Sequence, residues 1–177
     1  GHVLARLITF LLLPIYTHTF TQDEYGALSL AYAFMGFALI LYRYGMDTAM
    51  MKYSVQKEGL ERKKYITLII VTQFVTSFLF TFIIYFTRLS TAEYVLGTYQ
   101  PDWISYLAVI LFFDALWNLP LLILRSEEKA IPYIFLSLLN VILTMALNIM
   151  FVVYWEQGII GVFRANIIAS AFIFLVS

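Results

Sequence analysis

Few side chains in this sequence could do chemistry, and those that could sit in unusual places. There is no cysteine, which excludes disulfides and thiolate metal sites. The two histidines, His2 and His18, have no metal-ligand spacing. What remains is a set of charged and amide side chains inside long apolar runs: Arg6, Arg43, Asp114 and Arg164, with Asn118, Asn140 and Asn148. No nucleophile–base pair or metal constellation is among them, so no catalytic residue and no cofactor is expected. Guanidinium, amide and carboxylate groups suit binding instead. They can meet an anion, hydrogen-bond sugar hydroxyls, or hold a charge partner or a proton.

The elements that carry these residues follow from composition. The chain is 62% hydrophobic and 12% charged, with mean hydropathy +0.86. Soluble domains carry roughly 25% charged residues, so this chain cannot cover itself in water and belongs in a membrane. Its net charge is zero, which argues against a nucleic-acid partner. A bilayer core about 30 Å thick needs about 20 apolar residues in a helix. Six stretches qualify: 3–20, 25–46, 65–86, 103–124, 131–155 and 158–177. All must be helical, because lipid offers no partners to backbone groups. The expected fold is all-α and polytopic, one six-helix lobe over residues 1–177. The first residue is Gly and the last helix runs into Ser177, so the chain reads as part of a longer protein. No small-residue cleavage site follows the first helix, so that helix is not a removable signal.

Charge sets the expected orientation. The connection 43–64 holds Arg43, Lys52, Lys57, Arg62, Lys63 and Lys64, and the next on that side holds Arg125 and Lys129. The connections on the other side carry one basic residue, Arg88, with Asp23, Glu24, Glu93, Asp102 and Glu156. The positive-inside rule puts the basic connections and the N-terminus in the cytoplasm. Residues 47–53 read as the second helix running out past the membrane, and residues 58–64 as a solvated charged turn.

Depth separates the charges. Arg6 lies 14 residues below Phe20, about 21 Å into the core at 1.5 Å per residue. Asp114 is 11 residues from Trp103, about 16 Å and near the midplane. Arg164 is six residues from Gly158, about 9 Å below the outer face. Arg43 is about 27 Å from Tyr25, close enough to snorkel to the cytoplasmic interface. Even a mild scale charges ~2.5–3.5 kcal/mol for a charge at a helix centre, so Arg6, Asp114 and Arg164 need a reason. One reason is an internal salt bridge between Asp114 and an arginine. The other is a hydrated cavity that meets an anionic substrate. Helix five adds a polar stripe, Tyr133, Ser137, Asn140, Thr144 and Asn148, at helical spacing. Such residues either line a path or bond helix to helix. Pro14 and Pro120 fall within helices one and four, where each removes a backbone bond. They are static kinks or the bends of a moving transporter.

Four segments in order carry a likeness. Leu4–Tyr16 followed by Phe20–Leu30 resembles the start of bacterial oligosaccharide flippases, the polysaccharide-transporter branch of the multidrug/oligosaccharidyl-lipid/polysaccharide superfamily. Gly45-Met46-Asp47-Thr48-Ala49 is similar to that family's close of helix two. Leu124–Ala130 is similar to its Arg-containing turn between helices four and five. Asn140–Gly161 is similar to its Asn-bearing helix five and Gly-rich start of helix six. The resemblance implies that this chain is the N-terminal lobe of a two-lobed transporter in the bacterial inner membrane. The implied substrate is an undecaprenyl-pyrophosphate-linked oligosaccharide, flipped between leaflets for surface polysaccharide synthesis, with membrane lipid as the other partner. Arg6 matches the arginine that related lipid II flippases use for the pyrophosphate. Arg43 matches more loosely, and Arg164 stands on depth alone.

The expected mechanism is alternating access. Arg6 binds the pyrophosphate, with Arg43 and Arg164 adding positive field. Asn118, Asn140 and Asn148 line the sugar path. Asp114 pairs with an arginine or carries a coupling proton, sodium being the other ion a transporter could use. Two rivals stand beside it. A drug/cation antiporter of the same superfamily would favour acidic cavity residues. A non-transporting membrane assembly protein would use every polar residue to hold helices together.

Overall fold

The computed structural model describes residues 12–97 and 100–177. The described residues are helical and contain no strand. Helix α1 is described over residues 12–19. It is followed by α2 (Gln22–Arg43), α3 (Met46–Gln56) and α4 (Gly59–Phe86). A short α5 (Arg88–Thr91) passes into a π-helical turn, Ala92–Leu96. Then come α6 (Pro101–Ser126), α7 (Ala130–Asn148), extended by a π-helical segment Ile149–Tyr154, and α8 (Gly158–Val176). Five helices among the described residues are long and apolar enough to cross a membrane: α2, α4, α6, α7 with its extension, and α8. Most of the first expected span, including Arg6, lies outside the described residues.

The boundaries differ from expectation for local reasons. The second helix starts at Gln22 rather than at residue 25, because the acidic stretch after α1 forms its first turn. The Thr21 side chain accepts from the Glu24 N–H while Glu24 Oε2 accepts from the Thr21 N–H at 2.9 Å, a capping box. The second helix does not run on through 47–53. It stops at Arg43, where Tyr44 and Gly45 take φ of 23° and 90°. A left-handed glycine ends one helix and lets α3 leave in a new direction. The stretch 58–64 is no turn either, because α4 starts at Gly59 and its first turns carry the charges.

Helix α6 is the hub and packs against α2, α3, α4, α7 and α8. Its buried face holds Ile104, Leu107, Ile110, Leu111, Ala115 and Leu119. Pro120 lies within it and the helix continues on either side. The outer helices turn large apolar side chains such as Phe37, Ile40, Phe78, Phe82 and Ile142 outward. In water that would be untenable; in lipid it is the expected surface.

The two basic connections meet at one end of the bundle. Arg62 in the first turn of α4 pairs with Glu127 after α6 at 2.6 Å, and Lys129 pairs with the same carboxylate at 2.7 Å. Arg62 and Lys129, one from each basic connection, therefore share one carboxylate.

Candidate functional site

The polar side chains inside the bundle form a seam along α6, α8 and α2. At the end of α2, Arg43 reaches Asp47 in the first turn of α3 at 3.4 Å. Asn118 of α6 donates its amide to the other oxygen of Asp47 at 2.9 Å. A carboxylate in the first turn of a helix is itself favoured by the free N–H groups there. The seam is half-buried at this point, with Arg43 and Asp47 side chains 29% and 32% exposed.

One turn up the same face of α6 sits Asp114. Its Oδ1 accepts from Trp117 Nε1 at 3.1 Å and from Ser170 Oγ of α8 at 2.6 Å. Among the described residues no arginine is within ion-pair distance of Asp114, and Arg6, the other candidate partner, lies outside them. A turn further along α8, Asn166 donates to the Val162 carbonyl at 2.8 Å and to the Tyr32 hydroxyl of α2 at 3.5 Å. Tyr32 is 37% exposed, so the seam reaches the surface of the bundle there. From Tyr32 to Arg43 is 11 residues of α2, about 16 Å at helical rise, roughly half a bilayer core.

A second polar line runs between α1 and α7. The Tyr16 hydroxyl donates to Asn148 Oδ1 at 2.8 Å, and Asn148 Nδ2 donates to the Thr144 carbonyl at 2.8 Å. Asn148 is fully buried, with both ends of its amide bonded inside the bundle. Asn140 is half-buried, and its Oδ1 accepts from Thr144 at 3.4 Å. The Tyr16–Asn148 bond joins α1 to α7 as polar residues commonly do, while the other two lie within α7.

The expected site residues are thus sorted. Asn118, Arg43 and Asp114 come together along α6, while Asn140 and Asn148 lie on the α7 line. Arg164 joins neither: it is exposed and donates to Gln157 at 2.9 Å. It is two positions from Asn166, a step that puts it on another face of α8. Arg6 lies outside the described residues. Among the described residues the seam holds one arginine against two carboxylates, Asp47 and Asp114, so any positive field there comes from Arg43 alone.

The candidate list left out Asp47, Ser170, Trp117 and Tyr16. The first and third carried a signal, since Asp47 is four residues from Arg43 and Trp117 three from Asp114, both helical neighbours. Ser170 and Tyr16 act across the bundle, and only the packing brings them in. Gln73 of α4 plays a supporting part. Its Nε2 donates to the Tyr42 carbonyl at 2.7 Å, satisfying an acceptor freed where α2 stops.

No curated protein and no solved structure matches this chain. A family model described as polysaccharide biosynthesis protein matches residues 1–177, the whole of the sequence. The chain belongs to the polysaccharide biosynthesis protein family and is a multi-pass membrane protein.

Proposed function

We propose that the chain is the N-terminal lobe of a transporter that flips a lipid-linked oligosaccharide across the bacterial inner membrane, with its N-terminus cytoplasmic. The observation that carries this reading is the seam from Arg43 to Tyr32, polar at membrane depth and open on one side. Two carboxylates, a guanidinium and two amides held half-exposed at that depth are costly, more than the joining of helices requires. A translocated sugar pyrophosphate has a use for the guanidinium and the amides, and a proton-coupled transporter for a carboxylate. Arg6 meets the pyrophosphate and Arg43 adds to its field. Asn118 and Asn140 face sugar hydroxyls, and Asn148 holds α1 to α7 beside that path. Asp114 carries a coupling proton. Arg164, on another face, serves the outer rim.

The test uses the full-length protein in cells that depend on it. Arg6→Ala abolishes surface polysaccharide and makes lipid-linked oligosaccharide accumulate, with normal protein levels. Unchanged export would overturn the pyrophosphate assignment. A second reading, a cation or drug antiporter, is favoured by one observation: the seam pairs two carboxylates with one arginine. Drug efflux from cells expressing the full-length protein, with polysaccharide export unaffected by its deletion, would select that reading.

A further inference from the structure

The outward surface between α4 and α6 carries a crevice of about 320 Å³ that the seam does not use. Its walls are Phe78, Phe82, Tyr85 and Phe86 of α4 and Ser105 and Val109 of α6. The Thr81 hydroxyl, which also borders it, is already engaged with Tyr42 and the Ala108 carbonyl. The walls therefore present carbon. From Phe78 to Phe86 is eight residues, a groove about 12 Å long at helical rise. Phe78, Phe82 and Phe86 are each more than half exposed and face the bilayer.

Arg88 closes the end of this groove. Its guanidinium lies 4.5 Å from the centre of the Tyr85 ring, and Nη1 donates to Ser105 Oγ at 3.5 Å. Tyr85 belongs to one wall and Ser105 to the other, so the cation spans the mouth. Among the described residues Arg88 forms no ion pair. It stands just past the end of α4, at the end of the bundle opposite the Arg62–Glu127 pair, where headgroup phosphates lie. A planar guanidinium keeps its charge and offers several N–H donors, which suits a phosphate.

We propose that this crevice is a binding site for an anionic phospholipid. One acyl chain lies along the aromatic groove, and the phosphate sits on Arg88. The charge complementarity singles out this occupant, because a chain alone leaves the guanidinium without an anion and a phosphate alone leaves the groove unfilled. Nothing in this site depends on which substrate the seam carries.

Native mass spectrometry of the detergent-purified full-length protein tests it, with dioleoyl-phosphatidylglycerol as the probe. Dioleoylglycerol supplies the chains without phosphate, and glycerol-3-phosphate supplies phosphate without chains. The wild type should bind the phospholipid more tightly than dioleoylglycerol, and glycerol-3-phosphate should not displace it. Arg88→Gln should weaken phospholipid binding about fivefold, the worth of one basic residue at a lipid surface, while dioleoylglycerol binding and the melting temperature stay unchanged. Val109→Trp, which fills the groove, should weaken both lipids. Equal phospholipid binding by wild type and Arg88→Gln would overturn the proposal, as would displacement by glycerol-3-phosphate.

Discussion

The Asn118 amide donates to Asp47 over 2.9 Å and so ties the hub helix α6 to the first turn of α3. Asp47 also holds Arg43, which ends α2. One carboxylate thus fixes the bend at Tyr44–Gly45 from three sides: the helix before it, the helix after it and the hub. Asn118→Leu removes the link to the hub and leaves a charged oxygen short of a donor. Bonds to charged groups contribute about 1.5–3 kcal/mol in soluble proteins, and helix-bridging bonds in membranes about 0.6. A loss of about 1 kcal/mol follows, a drop in melting temperature of a few degrees. Thermal unfolding of the purified protein measures it. An unchanged melting temperature would mean that the bend is held without Asn118.

How much of this was legible beforehand depended on whether the cause was local. Membrane-length helices follow from hydropathy, and the basic surface from counting Lys and Arg, because both are properties of contiguous sequence. The start of α2 was legible in principle, since Thr21 and Glu24 have capping-box spacing. The stop at Arg43 was harder: apolar periodicity continues through Met46, and only Gly45 marks the break. The seam divided the same way. Arg43, Asp114 and Asn118 stand out as polar groups in apolar helices. Ser170 and Tyr16 look like an ordinary membrane hydroxyl and an interfacial tyrosine until the packing of α8 and α7 sets them against Asp114 and Asn148.

Close packing gives two glycines opposite expectations. A Cβ on Gly161 would lie 3.1 Å from the Phe151 carbonyl oxygen, where the π-helical end of α7 crosses the start of α8. That neighbour is backbone and cannot swing aside, and overpacking costs about 1–3 kcal/mol. At Gly36 in α2 a Cβ meets nothing within 4 Å, and replacing a mid-helix glycine by alanine gains about 0.5–1 kcal/mol. Gly161→Ala should therefore lower the melting temperature and Gly36→Ala should raise it. A stabilised Gly161→Ala protein would show that the α7–α8 crossing yields more readily than its geometry indicates.

Acid should loosen the basic end of the bundle. Hydrogen bonds from Lys129 and then from Arg62 hold the Glu127 carboxyl below its ordinary value of 4.5. A depressed carboxyl stabilises the folded state above the unfolded value, and that contribution fades as pH falls through the folded value. The link between α4 and the α6–α7 connection is thus intact at neutral pH and is lost as pH falls through that lowered value. Melting curves from pH 7 to pH 3 should show the wild type losing more stability than Glu127→Gln, which has no proton to gain. Parallel curves would remove Glu127 from the acid response.

Asp114 allows its structural and transport roles to be separated. Both of its hydrogen-bond donors, Trp117 Nε1 and Ser170 Oγ, reach the same oxygen, Oδ1. An asparagine keeps an oxygen acceptor of the same shape but cannot take up or release a proton in the working range. Asp114→Asn should therefore fold and melt within a degree or two of the wild type. Asp114→Leu leaves the indole N–H of Trp117 without its acceptor, and should lose about 1–3 kcal/mol. If Asp114 carries the coupling proton, Asp114→Asn stops polysaccharide export in the full-length protein despite its normal stability. If export continues at the wild-type rate, Asp114 is a bond between α6 and α8 and the coupling group lies elsewhere. Comparing export with melting temperature in the two variants makes the distinction, because a purely structural residue moves both quantities together.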